Sequence, residues 1–141
     1  MTLPMPSQPV GKFDSKSGKW TLTEAWAVRV DTNSLRVMVL PGFQSDGASI
    51  PRWLWPLVGP RLDAKTFPAA LLHDALYESK LFARWFADAE FRRLLVGFGT
   101  GRVRARLYWL AVRIFGGAFW MRISERDVRA TRHLVKVYNV A

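Results

Sequence analysis

No cysteine occurs among the 141 residues. A disulfide framework and thiolate metal centres are both excluded, and a reducing compartment suits the composition. Histidine is nearly as scarce, with only His73 and His133. Zinc takes three or four His, Cys or carboxylate ligands, so multi-histidine metal chemistry is poorly served. Long apolar runs are missing as well. The longest, residues 107–121, is interrupted by Arg113 and by Gly116-Gly117. It falls short of the roughly 18 to 20 apolar residues that a spanning helix needs, and reads first as a buried helix and second as an interfacial one. Residues 1–8 carry neither a basic nor an apolar signal region, so no secretory signal is expected. Carboxylates are the last shortage: 11 Asp and Glu stand against 21 Lys and Arg, a net charge of +10.

What is present supports a folded domain. Half of the residues are hydrophobic and seven are Trp, ample material for one core. We expect an irregular N-terminal arm over residues 1–18, which hold three prolines, and a single α+β domain over 19–141. The charge is uneven. From Arg84 onward there are twelve Lys and Arg against four Asp and Glu, +8, while residues 1–83 hold nine against seven, only +2. A basic C-terminal half points to a polyanion, whether nucleic acid, an anionic membrane or an acidic protein, unless it serves only solubility.

Along the chain the pattern changes once. Trp20, Leu22, Trp26, Val28 and Val30 alternate with other residues as in a half-buried strand, and residues 35–40 form a second β-rich run. With the turn cluster Asp31-Thr32-Asn33-Ser34 between them, they predict a β-hairpin or small antiparallel sheet. Residues 43–60 form a Pro- and Trp-rich loop expected to be ordered. Helical spacing follows over 67–79 with Pro68 in its first turn, over 84–98, and over 102–115 with Gly116-Gly117 as its stop. Ser124-Glu125-Arg126-Asp127 resembles a capping box opening a fourth helix that runs to about Tyr138. Strands first and about four helices after argue for the α+β class.

The chemistry-bearing residues concentrate on the first predicted helix. Ala69, Leu72 and Leu76 make its apolar stripe, and His73, Tyr77 and Asp74 fan along one flank. An imidazole bordering the core can be held neutral and act as a base near neutral pH. The alternative is a hydrogen-bonded core histidine with Asp74 as a tying residue. On the second helix Asp88 sits at the rim of an apolar face, a costly place for an unpaired carboxylate. If the two helices pack antiparallel, Asp88 faces His73 and orients its ring; otherwise it pairs with Arg84 or Arg92, four residues away. Asp46 in the Asp-Gly turn is either a turn-fixing residue or a further carboxylate approaching His73 and Asp74.

The C-terminal half offers a basic surface. Arg102, Arg104 and Arg106 open the third helix. On the fourth, Arg126, Arg129, Arg132, His133 and Lys136 would form one stripe opposite an apolar face. Such a helix suits phosphates, lipid headgroups or an acidic partner, or is a solvated face over the core. No helix-turn-helix or other base-reading motif accompanies it, which argues against sequence-specific DNA binding.

Two resemblances add to this reading. Gly42-Phe43-Gln44-Ser45-Asp46-Gly47-Ala48-Ser49-Ile50-Pro51-Arg52, with Ala69-Ala70-Leu71-Leu72-His73-Asp74-Ala75-Leu76-Tyr77 and Ala87-Asp88-Ala89-Glu90-Phe91, resembles the family catalogued as domain of unknown function 1353, over roughly residues 37–116. Ser45 stands where that family usually has Thr. Its members occur mainly in tailed phages and prophages, which implies a phage origin and a place in the host cytoplasm or the virion. His73-Asp74, Tyr77 and Asp88-x-x-Phe91 also resemble, more faintly, the core of the phospholipase A2 superfamily. That resemblance implies His73 as the base activating water, Asp74 as a calcium ligand, and Asp88 with Tyr77 orienting the imidazole. The glycine-rich calcium loop of that superfamily is missing in its usual form, and the loop around Asp46 would have to stand in for it. Calcium is the only cofactor implied. Two functions stay open: a phage accessory or virion-associated protein that binds a phage or host protein or an anionic membrane surface, and a calcium-dependent lipid or ester hydrolase.

Overall fold

A computed structural model of the chain describes residues 7–30, 34–45 and 64–140. Among these, six strands in two antiparallel sheets and four helices make an α+β fold. Beyond Ser45, the Pro- and Trp-rich loop lies outside the described residues.

The stretch 20–30 is not one strand. β1 (Gly11–Asp14), β2 (Lys19–Leu22) and β5 (Gln44–Ser45) form one sheet, while β3 (Trp26–Val30) and β4 (Leu35–Val39) belong to another. The break has a hydrogen-bonding cause: the Thr23 N–H and hydroxyl both donate to the Val10 carbonyl, tying the chain to the strand β1 side before β3 begins. β1 also falls within the stretch expected to be irregular. Past the break the expected hairpin forms, with Trp26 opposite Val39 and Val30 opposite Leu35. Trp26, Val28 and Val30 are buried from β3, Val37 and Val39 from β4; the period of two places both sets on the core side.

α1 (Phe67–Ser79) is the central element, with every residue from Phe67 to Tyr77 buried. α2 (Arg84–Gly97) packs on it, and α3 (Arg102–Arg122) packs on α2. Lys80 in the left-handed conformation (φ 48°) ends α1. The C-terminal carbonyls of α1, which lack donors within the helix, find one in Arg132, whose Nε bonds Ser79 O at 2.8 Å.

Two expected helix ends are corrected. Gly116-Gly117 does not stop the third helix, because α3 runs on to Arg122. Gly116 serves packing instead: it is buried, and a Cβ there would lie 2.7 Å from the Tyr77 hydroxyl. The fourth helix starts as expected. In α4 (Glu125–Arg132) the Ser124 hydroxyl accepts the Asp127 N–H while the Asp127 carboxylate accepts the Ser124 N–H. It does not reach Tyr138. β6 (Val135–Asn139) takes over and pairs antiparallel with β4, Val137 opposite Val37. The β-branched Val135 and Val137 alternate with Lys136 and Tyr138, and the open edge of β4 supplies the backbone partners that a strand needs. Lys136 is therefore exposed on a strand and leaves the helical basic stripe.

The close approach at Gly116 yields a paired test. Gly116→Ala should lower the urea midpoint, because overpacking at about 1–3 kcal/mol outweighs the roughly 1 kcal/mol helix-propensity gain. Gly117→Ala, whose Cβ would meet only the Arg84 guanidinium at 3.8 Å, should be neutral or stabilising. The reverse order would remove the packing role assigned to Gly116.

Candidate functional site

Helices α1, α2 and α3 converge on one carboxylate. Asp88 is fully buried. Its Oδ1 lies 2.7 Å from His73 Nε2 and accepts the Tyr77 hydroxyl at 2.6 Å. Its Oδ2 accepts Arg113 Nη1 at 2.8 Å, with Arg84 Nη1 at 3.5 Å. Spacing explains the α1 donors: His73 and Tyr77 stand four residues apart, one above the other on the flank facing α2. The orienting and the salt-bridging roles expected as alternatives for Asp88 thus coexist. Arg84 meets it, as the spacing of four allowed. Arg113 had not been placed there, although a lone cation inside the longest apolar run was its available signal.

The proton arrangement follows from the partners. An ionised carboxylate only accepts, so the His73 proton sits on Nε2 and donates to Asp88. The other ring nitrogen, Nδ1, keeps its lone pair and has no hydrogen-bond partner among the described residues. Burial pushes the His73 pKa down from its ordinary 6.5, opposed by the Asp88 hydrogen bond and charge, so the ring is neutral at pH 7. Burial alone would raise Asp88; the hydrogen bonds from His73, Tyr77 and Arg113 hold it below the usual carboxylate range. The Tyr77 phenol is driven up by burial and by Asp88, so it stays a donor. Ring contacts restrain the imidazole further, with the tilted Tyr77 and Phe91 rings centred 4.1 Å and 4.7 Å away.

Asp74, next to His73, turns toward a different neighbour. Its Oδ2 accepts the Ser45 hydroxyl at 2.5 Å. Ser45 ends β5 and belongs to the Gly42-to-Arg52 motif, so this residue of the motif meets the His-Asp helix. Asp46 itself lies outside the described residues. Beside Asp74 is a hollow of about 190 Å³ lined by Lys19, Gln44, Ser45, Glu78 and Phe119. The carboxylates of Asp74 and Glu78, one turn apart on α1, and the side-chain oxygens of Gln44 and Ser45 are hard donors of the kind calcium takes. The Lys19 ammonium on the same lining opposes a cation. Among the described residues no group of three or more His, Asp and Glu side chains is disposed to hold a metal ion.

The expected basic residues do not gather there. Arg102, Arg104 and Arg106 are exposed on α3, and Arg126 and Arg129 on α4. Arg132 is engaged with the end of α1 through the Ser79 and Lys80 carbonyls.

In comparisons with known proteins, the model of one family, described as Protein of unknown function (DUF1353), matches residues 20–112. The match reaches further toward the N-terminus than the 37–116 segment expected from the motifs. No curated protein and no solved structure matches the chain.

The buried neutral imidazole has a pH signature. With the folded pKa depressed, the unfolded His73 takes up a proton first, so stability is complete above about pH 6.5. It is then lost as pH falls from there through the folded pKa. Asp88 acts lower: its contribution is complete above about pH 4 and is lost as its own depressed pKa is reached. Urea midpoints measured across this range should therefore decline in two stages. His73→Gln should remove the first and keep the second; a profile unchanged by the substitution would show that His73 is not held neutral.

Proposed function

The chain belongs to the DUF1353 family of proteins of unknown function, and for this member we propose a hydrolase of lipid or ester bonds with His73 as general base. The observation that carries the reading is the division of labour on the imidazole. Nε2 is held by a buried carboxylate, while Nδ1 has no hydrogen-bond partner among the described residues. A histidine acts as a base only through a ring nitrogen that keeps its lone pair. Here one is left with a lone pair, next in sequence to a carboxylate that lines a hollow.

The geometry supports the following roles. Asp88 fixes the tautomer and stabilises the imidazolium that forms when Nδ1 takes a proton from water. Tyr77 and Arg113 hold Asp88 in turn. On the phospholipase A2 resemblance Asp74 would be a calcium ligand, with Asp46, outside the described residues, as the other candidate; calcium there would supply polarisation of the scissile carbonyl, against the opposing charge of Lys19 on the same lining. The resemblance of His73-Asp74, Tyr77 and Asp88 to the phospholipase A2 superfamily supports the same assignment.

The near-complete burial of His73, 3% exposed, favours a second reading. In it the cluster is a polar clasp that pins the loop to the helices of a phage accessory or virion-associated protein, which binds another macromolecule in the host cytoplasm or the virion.

Fatty-acid release from anionic phospholipid vesicles separates the two. The wild type should hydrolyse them with calcium stimulation, and His73→Gln should lose at least about a hundredfold in rate, as expected for a general base, while keeping its circular dichroism. Asp74→Asn should weaken the calcium dependence. A wild type without hydrolysis, with or without calcium, ends the hydrolase reading in favour of the clasp.

A further inference from the structure

α3 is apolar on two opposite faces. One face is in the core, where Ala105, Tyr108, Val112 and Gly116 are buried. The other carries Val103, Leu107, Leu110, Ile114 and Met121, all exposed, with Val103, Ile114 and Met121 at 77%, 69% and 83%. At the helical repeat these five fall within an arc of about 60°. They form one stripe along nearly the whole 21-residue helix. Such a stripe costs free energy in water, and contiguous exposed apolar patches of this kind mark interaction surfaces.

The flanks identify the occupant. Arg104 and Arg122 border the stripe on one side, Arg102 and Arg106 on the other, and all four are exposed. α3 contains no Asp or Glu. A second copy of the chain would bring arginines against arginines with no carboxylate on the helix to meet them. An anionic bilayer answers both features: its acyl boundary takes the apolar stripe, and its headgroups take guanidinium groups reaching outward on their aliphatic stems. The helix would lie on the surface and not across it, since none of the described helices is long and apolar enough to span a membrane.

We infer that the outward face of α3 docks this protein, in the plane of the interface, on a membrane containing anionic phospholipid. The surface owes nothing to the His73 cluster and stands whether or not that cluster is catalytic.

Flotation with vesicles tests it directly. The full chain should float with vesicles containing phosphatidylglycerol, much less with phosphatidylcholine alone, and less at high salt. The triple variant Val103→Gln, Ile114→Gln, Met121→Gln should bind at least tenfold more weakly. Its thermal unfolding should be unchanged, because the three side chains are exposed. Should that variant not fold, Arg102→Gln, Arg104→Gln, Arg106→Gln, Arg122→Gln should show the same loss with no change to the apolar stripe. Absence of flotation by the wild type, or flotation that neither variant weakens, overturns the inference. So does a lipid-free dimer of the wild type that the triple variant converts to monomer, which would give the face to a second copy. His73→Gln should float like the wild type even if hydrolysis is lost.

Discussion

A carboxylate without access to water must be met by donors on every side, and in this protein that requirement organises the helices. Asp88 draws His73 and Tyr77 from α1, Arg84 from its own helix and Arg113 from α3. A buried anion that loses a partner costs several kcal/mol, so the three helices are not free to slide or rotate independently. The constraint spreads outward. Tyr77 must reach Asp88 while α3 passes close by, which is why position 116 has no side chain. Arg84 spans the same gap, donating to the Val112 and Arg113 carbonyls of α3.

This arrangement gives His73 an unusual situation. The ring is fixed at Nε2 by a charge that cannot leave and is held by contact with the tilted rings of Tyr77 and Phe91. Little reorganisation would accompany a change in its protonation, which is what preorganised general-base sites require. Asp74, one residue on, is turned to the Ser45 side of the helix. Adjacent residues on a helix point about 100° apart. A single dipeptide therefore serves the interhelical core with one side chain and the loop-facing hollow with the other.

Much of this was legible in the residues, and the failures have physical reasons. α1 could be read to its ends because Pro68 and the apolar spacing act locally. That Asp88 faces His73 was readable from helical periodicity and an antiparallel pair, and Tyr77 joined them through the phospholipase A2 resemblance. The ends of α3 and α4 were not readable, since both are decided by tertiary partners. Gly116-Gly117, a pair that ordinarily stops a helix, lies inside α3, where Gly116 makes room for Tyr77 of a neighbouring helix. Residues 135–139 are compatible with a basic amphipathic helix until the open edge of β4 competes for them. Arg113 was missed for the same reason, because an Arg within an apolar run does not announce which buried anion it meets. The exposed apolar face of α3 was hidden in plain composition: a run expected to be buried is buried on one side only.

The pairing of β6 with β4 bears on how the molecule assembles in time. Leu35 lies opposite Asn139, so the second sheet is completed only when segments separated by about a hundred residues find each other. Closing a loop of that length has an entropic cost that grows slowly with length but must be met before the pairing returns any stabilisation. Helices α1 to α3, whose contacts are between sequence neighbours, can form ahead of it. The hairpin of β3 and β4 would then wait with one edge open until β6 arrives. In kinetic terms the last strand is a latch, and until it closes the β4 edge stays open to pairing with another molecule.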